Sequence, residues 1–155
     1  MAHARVFLPP NPLEAALGGP EDPIGASLEL RAAELVRALG PGLRIHVAEQ
    51  IAIVERIAAA SEDVLFAESH ALGDAALAIC EVAGPAGLGP LGEGARGIVA
   101  MVDALINQGV WHTEALRLHI AALAMFSANP GLPPREAARV LADLQGLRDG
   151  IGVLD

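Results

Sequence analysis

The chain has 155 residues, a formal net charge of −9 and 53% hydrophobic residues, but only 3% aromatic ones. This length is typical of one domain. The chain is acidic, its ten basic residues are all arginines, and it has no basic patch that could bind nucleic acid. One cysteine, Cys80, excludes an internal disulfide bond, and no apolar run approaches the roughly 18 residues of a membrane span. We therefore expect a cytoplasmic protein that neither inserts into a membrane nor binds nucleic acid.

Residues 1–26 are rich in proline and glycine, and they predict an extended N-terminal arm before a helical domain of residues 27–155. Ser27 is a suitable N-cap for the first helix, and Gly40, Pro41 and Gly42 are predicted to end it. The apolar periodicity predicts helices over residues 28–39, 43–60, 63–82, 91–106, 112–126 and 134–147. The junction between the second and third stays open, because Ser61 can cap a new helix while nothing there forbids a continuous one.

An apolar row along each of the six helices indicates its buried face. The rows are Leu28, Ala32, Leu35 and Leu39; Val47, Ile51, Val54 and Ala58; Leu65, Leu72, Ala76 and Ile79; Ala95, Ile98, Val102 and Leu105; Leu116, His119, Leu123 and Phe126; Ala137, Val140, Leu141 and Leu144. Gly92, Gly94 and Gly97 weaken the helix that contains them, which predicts close approach of a neighbouring helix. No segment alternates as a strand does. The sequence thus predicts an all-α fold, a single-domain antiparallel bundle of five to six helices.

Several motifs that resemble catalytic or cofactor sites lack the partners they need. His46 and Glu49 form one pair, whereas a di-metal helical bundle needs two Glu-x-x-His units. Residues 87–92 match G-x-G-x-x-G, but a helix and not a strand precedes them. His119 lies on an apolar row, where a hydrogen-bonded core histidine is the expected role. We expect no metal and no cofactor.

The most informative residue is His70, in the stretch "AESHALGDAALAI" of residues 67–79. A helical histidine can accept a phosphoryl group, bind a metal or make a structural contact. His70 follows a helix start at Ser61 by nine residues, and Leu72 follows it by two, which resembles the pattern of histidine phosphotransfer domains. The resemblance covers residues 43–106. It implies an antiparallel bundle whose histidine shuttles a phosphoryl group to and from response-regulator aspartates.

Two positions depart from the phosphotransfer pattern. In that family the second, third and fourth residues after the histidine are Leu, Lys and Gly. In this chain they are Leu72, Gly73 and Asp74. Asp74 lies four residues after His70 and hence beside it on the helix surface. Its carboxylate opposes a negatively charged phosphohistidine and favours a protonated imidazole, which is a poor nucleophile. A surface pair with Asp74 and a contact in a protein interface are therefore alternative roles for His70.

A second resemblance extends over nearly the entire chain. It is carried by the segments "PNPLEAALGGP", "GLGPLGEGARGIVAMVDALINQGVWHTEALRLHIAAL" and "AARVLADLQGLRDGIG". These segments resemble the small helical proteins of alphaproteobacterial chemotaxis and motility gene clusters, the CheE type. The resemblance implies a place in a chemotaxis-type pathway that uses histidine-to-aspartate phosphorelay. It implies no set of catalytic residues.

These patterns favour a non-enzymatic accessory protein that docks to a response regulator or histidine kinase of a two-component system. The expected partner-binding surface lies beside His70 and consists of Phe66, Gly73, Asp74 and Leu77. The alternative is an active histidine phosphotransfer protein in which His70 is the catalytic phosphoacceptor. A third hypothesis is a structural homodimer that exchanges the arm of residues 1–26.

Overall fold

Six α-helices and no strand make up residues 23–153, the part of the chain that the computed structural model describes, with side chains described from Leu28 onward. The helices are α1 (Pro23–Ala58), α2 (Glu62–Ala67), α3 (Ser69–Ala83), α4 (Gly89–Gln108), α5 (Thr113–Ala128) and α6 (Pro134–Gly150). The all-α helical bundle predicted from the sequence is therefore confirmed.

The prediction that Gly40, Pro41 and Gly42 end the first helix is wrong, because α1 continues through them. Proline lacks the N–H of one helical hydrogen bond, but its φ of about −65° is itself helical. Neither glycine adopts the positive φ that is typical of a helix C-terminal cap. The flanking leucines, alanines and arginines are strong helix formers, so the loss of one bond does not interrupt the helix.

Two breaks divide the chain between α1 and α3. Ser61 occupies the N-cap position of α2 with an extended backbone (φ −62°, ψ 162°), so the second and third predicted helices are separate. The predicted helix of residues 63–82 is itself divided at Glu68 (φ −94°, ψ 13°). α2 contacts the segment just before α5 through Phe66 and Trp111, whereas α3 packs along α4. The bend at Glu68 lets the two segments follow these different neighbours.

α4 is the central helix and packs against α3, α5 and α6. Three of its glycines, Gly92, Gly94 and Gly97, lie where neighbouring side chains come close. A Cβ added at Gly92 would lie 3.0 Å from the Cβ of Ala83, and one added at Gly94 would lie 3.2 Å from the ring of Phe126. At Gly97 an added Cβ would overlap two buried side chains. The close approach predicted at these three glycines is confirmed, and it explains why weak helix formers occupy them.

The core is aliphatic and follows the predicted rows. The row positions that are buried are Val47, Ile51, Val54, Leu65, Leu72, Ala76, Ile79, Ala95, Ile98, Val102, Leu116, His119, Leu123, Phe126, Ala137 and Leu144. The half-buried row positions are Ala58, Leu105, Val140 and Leu141. The apolar row of the first predicted helix is exposed instead of buried, at Leu28, Ala32, Leu35 and Leu39. Each fully buried leucine, isoleucine or valine contributes about 1.5–3 kcal/mol relative to an exposed side chain.

The chain divides into two compact units, Met1–Ala38 and Leu39–Asp155. In the first unit the described side chains, residues 28–38, are all exposed, and in the second the buried positions begin at Val47.

The N-terminal arm predicted for residues 1–26 lies outside the described residues as far as residue 22. Residues 23–26 belong to α1 instead of an extended segment, because Pro23 is well suited to the first position of a helix. The homodimer hypothesis, which depends on exchange of that arm, stays a prediction. Across residues 23–153, none of the helices combines the length and apolar character that crossing a membrane requires.

Candidate docking groove beside His70

His70 is the second residue of α3, and its side chain is exposed. The bend at Glu68 starts a new helix there, whereas the sequence pattern placed His70 well inside a longer helix. Its neighbours Ser69 and Leu72 are buried, so α3 directs its core face inward while the imidazole faces solvent. Another protein can therefore reach His70, but its position in the first turn differs from the phosphotransfer pattern.

A groove of about 110 Å³ lies between α3 and α4 at His70. Its described lining residues are His70, Gly73, Asp74 and Leu77 of α3 and Val99, Val102, Asp103 and Ile106 of α4. Three of the four expected partner-binding residues thus share one concave surface with the candidate phosphoacceptor.

Gly73 brings the two walls of this groove together. It is half-buried, and an added Cβ would lie 3.0 Å from Cγ1 of Val102. That distance is shorter than an ordinary van der Waals contact, so the missing side chain allows the close approach of α3 and α4. The residue was expected to contact a partner, and the structure adds an internal packing role.

The rim of the groove combines exposed acids with exposed apolar side chains. Asp74 and Asp103 are exposed, Leu77 is 47% exposed and Ile106 is 50% exposed. Within residues 23–153 neither aspartate forms an ion pair or a hydrogen bond, and the expected pair between His70 and Asp74 is not formed. Water competes for side chains as exposed as these, which weakens such a pair. The groove thus presents two exposed carboxylates, unpaired within the described part of the chain, beside an apolar surface.

Phe66 is the expected partner-binding residue that the structure places elsewhere. It belongs to α2 and does not line the groove, and its ring packs edge-to-face on Trp111, with centroids 5.3 Å apart. It remains 51% exposed. Phe66 therefore packs α2 against the segment before α5. The bend at Glu68 is what separates Phe66 from His70.

Sequence reasoning missed the residues that α4 contributes to the groove, Val99, Asp103 and Ile106. The available signal was spacing, since Asp103 and Ile106 repeat the acid-to-apolar interval of Asp74 and Leu77. Spacing along one helix does not say which residues of another helix lie opposite. The pairing of the two walls is therefore visible only in the packed structure.

A polar cluster at His119 is buried where α5 meets α6. His119 Nδ1 donates to the carbonyl oxygen of Ala115 at 2.8 Å, and Nε2 accepts from Nη1 of Arg148 at 3.2 Å. Burial lowers the pKa of His119, the bond to the Ala115 carbonyl raises it less, and the Arg148 charge lowers it further. The imidazole is consequently neutral, and the hydrogen-bonded core role predicted for His119 is confirmed.

Cys80 is a half-buried thiol in the interface between α3 and α4. Its Sγ donates a hydrogen bond to the carbonyl oxygen of Gly92 at 3.5 Å, and burial raises its pKa, which keeps it protonated. Among the residues with described side chains, no three His, Cys, Asp or Glu residues are grouped so as to hold a metal ion.

A scan against protein-family models finds no match for the chain, and searches of curated proteins and of solved structures find none either. The geometry of the groove is thus the observation from which a function follows. Its described lining residues include one imidazole, His70, which forms no hydrogen bond or ion pair with another described residue.

Proposed function

We propose that the chain is a bacterial signal-transduction protein of the chemotaxis type that docks to a response regulator or a histidine kinase in the cytoplasm. The observation that carries this proposal is the groove between α3 and α4, where exposed apolar and acidic side chains share one concave surface. The two sequence resemblances point to the pathway, and the groove supplies a surface on which a partner can dock.

The composition of the groove supports docking on physical grounds. Protein interfaces typically have an apolar centre and a polar rim. A single exposed apolar residue does not indicate an interface, because such residues are common on protein surfaces. Here two half-exposed apolar residues, Leu77 and Ile106, line the same groove and each has an aspartate on its own helix. The acids give the groove a negative potential, which adds to the net charge of −9 and favours a partner with a basic face.

Phosphotransfer through His70 is a second candidate, favoured by the exposure of the imidazole. In that reaction a ring nitrogen attacks the phosphorus of an aspartyl phosphate, the aspartate carboxylate leaves, and the ring proton passes to water. Asp74 and Asp103 line the same groove, and their charges oppose the negative phosphohistidine that would form. Docking needs no such charge accumulation and is therefore the function that the geometry supports best.

Calorimetric titration with purified receiver and kinase domains of the same bacterium tests the docking proposal. Leu77→Ala removes an apolar contact from the groove, and Leu118→Ala is the matched control because Leu118 is 55% exposed on α5, outside it. We expect Leu77→Ala to weaken binding of at least one domain about tenfold, and Leu118→Ala to leave it unchanged. Equal effects of the two substitutions, or no binding by any domain, would contradict the proposal.

Phosphoryl transfer separates the two candidate functions. The wild type and His70→Ala would be incubated with radiolabelled phosphorylated kinases and regulators from the same cell. Docking predicts that neither protein becomes labelled and that both bind the same partner. Acid-labile label on the wild type, absent from His70→Ala, would instead identify a working phosphotransfer protein.

A further inference from the structure

Both walls of the groove carry the same two kinds of side chain in the same order. On α3, Asp74 precedes Leu77 by three residues, and on α4, Asp103 precedes Ile106 by three residues. Residues three apart lie on the same face of a helix. Each helix therefore places one carboxylate and one large apolar side chain on the groove.

The groove is small, with a volume of about 110 Å³, and it is lined by eight described residues of two helices. A cleft of this size suits a side chain of a partner and not a whole helix, which is about 10 Å wide. Val102 is almost fully buried and Val99 is half-buried, and both line the groove with aliphatic carbon. An occupant thus needs an apolar stem.

The charges that line the groove indicate which group the occupant carries at the end of its apolar stem. Among its described lining residues, the only group that can carry a positive charge is His70. Arg96 of α4 is ion-paired with Glu93 at 3.5 Å and does not line the groove. Neither aspartate has a partner among the residues with described side chains, so a cation on a partner protein would complement them.

We infer that the groove is a receptor for an arginine side chain of the docking partner. This inference rests on the proposed function and names the chemistry of the partner. The aliphatic stem of the arginine packs on Leu77 and Ile106, while its guanidinium lies between Asp74 and Asp103. The planar guanidinium offers five N–H donors in a fixed fork and can bond two carboxylates at once, which the compact ammonium of lysine does less well.

The groove can be tested without a known partner, by NMR titration of the isotope-labelled full chain. The probe is an acetylated and amidated pentapeptide, Ala-Leu-Arg-Leu-Ala. The control peptide has citrulline in place of arginine, which keeps the shape and removes the charge. We expect the arginine peptide to shift amide signals at Asp74, Leu77, Asp103 and Ile106, and to bind about fivefold or more tightly than the citrulline peptide.

Matched charge substitutions locate the effect within the protein. Asp103→Asn removes one carboxylate of the groove, and Asp143→Asn removes an exposed carboxylate of α6 that lies outside it. We expect Asp103→Asn to weaken the arginine peptide about tenfold and Asp143→Asn to leave its affinity unchanged. Both aspartates are exposed, so neither substitution removes a buried contact.

The outcomes distinguish this inference from the proposed function. The inference is overturned if both peptides bind equally, if the shifts lie outside the groove, or if Asp103→Asn has no effect. The inference would also be overturned if Leu77→Ala weakened binding of a receiver or kinase domain but Asp103→Asn left that binding unchanged. The docking proposal would stand in that case. Peptide binding in the groove, without binding of any receiver or kinase domain, would support the arginine receptor and reject the proposed class of partner.

Discussion

The hydrogen bonds of His119 determine the tautomer of its buried imidazole. The Arg148 guanidinium only donates, so Nε2 accepts from it and the proton resides on Nδ1, which donates to the Ala115 carbonyl. A second proton, on Nε2, would remove the acceptor for Arg148 and place a second positive charge beside it inside the bundle. The folded protein therefore resists protonation of this side chain.

Acidification is predicted to destabilise the protein through His119. Since its pKa is lower in the folded state, the unfolded chain binds the proton first, and stability is lost as the pH falls through the ordinary value of 6.5 towards the folded pKa. Urea unfolding near pH 7.5 and near pH 5.5 measures this loss. His119→Gln retains a donor and an acceptor without titrating, so it should lose less stability between these pH values. An identical loss in both proteins would assign the pH dependence to other groups.

Close packing at Gly97 is predicted to make alanine destabilising there. An added Cβ would lie 2.5 Å from Nη1 of Arg148 and 2.7 Å from Cδ2 of His119, so Gly97→Ala should lower the free energy of unfolding by about 1–3 kcal/mol. Gly146 of α6 is a matched control, because nothing lies within 4 Å of its added Cβ. Gly146→Ala should raise the free energy of unfolding by about 0.5–1 kcal/mol. Urea unfolding measures both changes, and equal effects would be inconsistent with tight packing at Gly97.

Among the helices, α1 contains the clearest conflict between local preference and structure. Pro41 leaves the carbonyl of Arg37 without its helical N–H partner, yet α1 continues to Ala58. Pro41→Ala is predicted to stabilise this part of α1 locally by up to about 3 kcal/mol, because it restores the missing bond. Amide hydrogen exchange should slow on both sides of residue 41 and stay unchanged in α4. Unchanged exchange around residue 41 would argue that two separate helices meet there.

The junction between α2 and α5 can be followed with the only tryptophan of the chain. Three contacts form this junction. The ring of Phe66 packs on Trp111, and the Thr113 hydroxyl donates to the Glu62 carboxylate. The Arg117 guanidinium donates to the carbonyl of Ala60, just before α2, at 3.3 Å. Phe66→Ala is predicted to shift tryptophan fluorescence to longer wavelength, because it uncovers one side of the half-buried indole. Leu118→Ala should leave the emission unchanged. A spectrum unaffected by Phe66→Ala would show that this ring does not shield Trp111.

For the molecule as a whole, stability is predicted to reside in residues 39–155. Among the described residues, every buried side chain lies between Val47 and Val153, while residues 28–38 are all exposed. A chain that begins at Leu39 should therefore unfold cooperatively, with a thermal midpoint close to that of the full chain. Circular dichroism during heating measures both midpoints. A much lower midpoint for the shortened chain would show that residues before 39 stabilise the bundle.

The fold class, most of the core and the role of His119 could be predicted from the amino-acid sequence. Apolar periodicity is a property of one helix at a time, so rows such as Leu72, Ala76 and Ile79 could be assigned to a buried face before any packing was known. The glycines of α4 were informative for a similar reason. Glycine is costly inside a helix, and only a close neighbour compensates for that cost.

The ends of the helices and the composition of the groove depend on how the helices pack, and the sequence did not predict them. Gly40, Pro41 and Gly42 have strong local preferences against a helix, but the strong helix formers on both sides outweigh them. The bend at Glu68 reflects two different packing partners, which local sequence does not name. Asp103 faces the groove with Asp74 because α3 and α4 pack in one particular register. That register depends on side chains far apart in the chain, such as Gly73 and Val102, and so it emerges only when the helices pack.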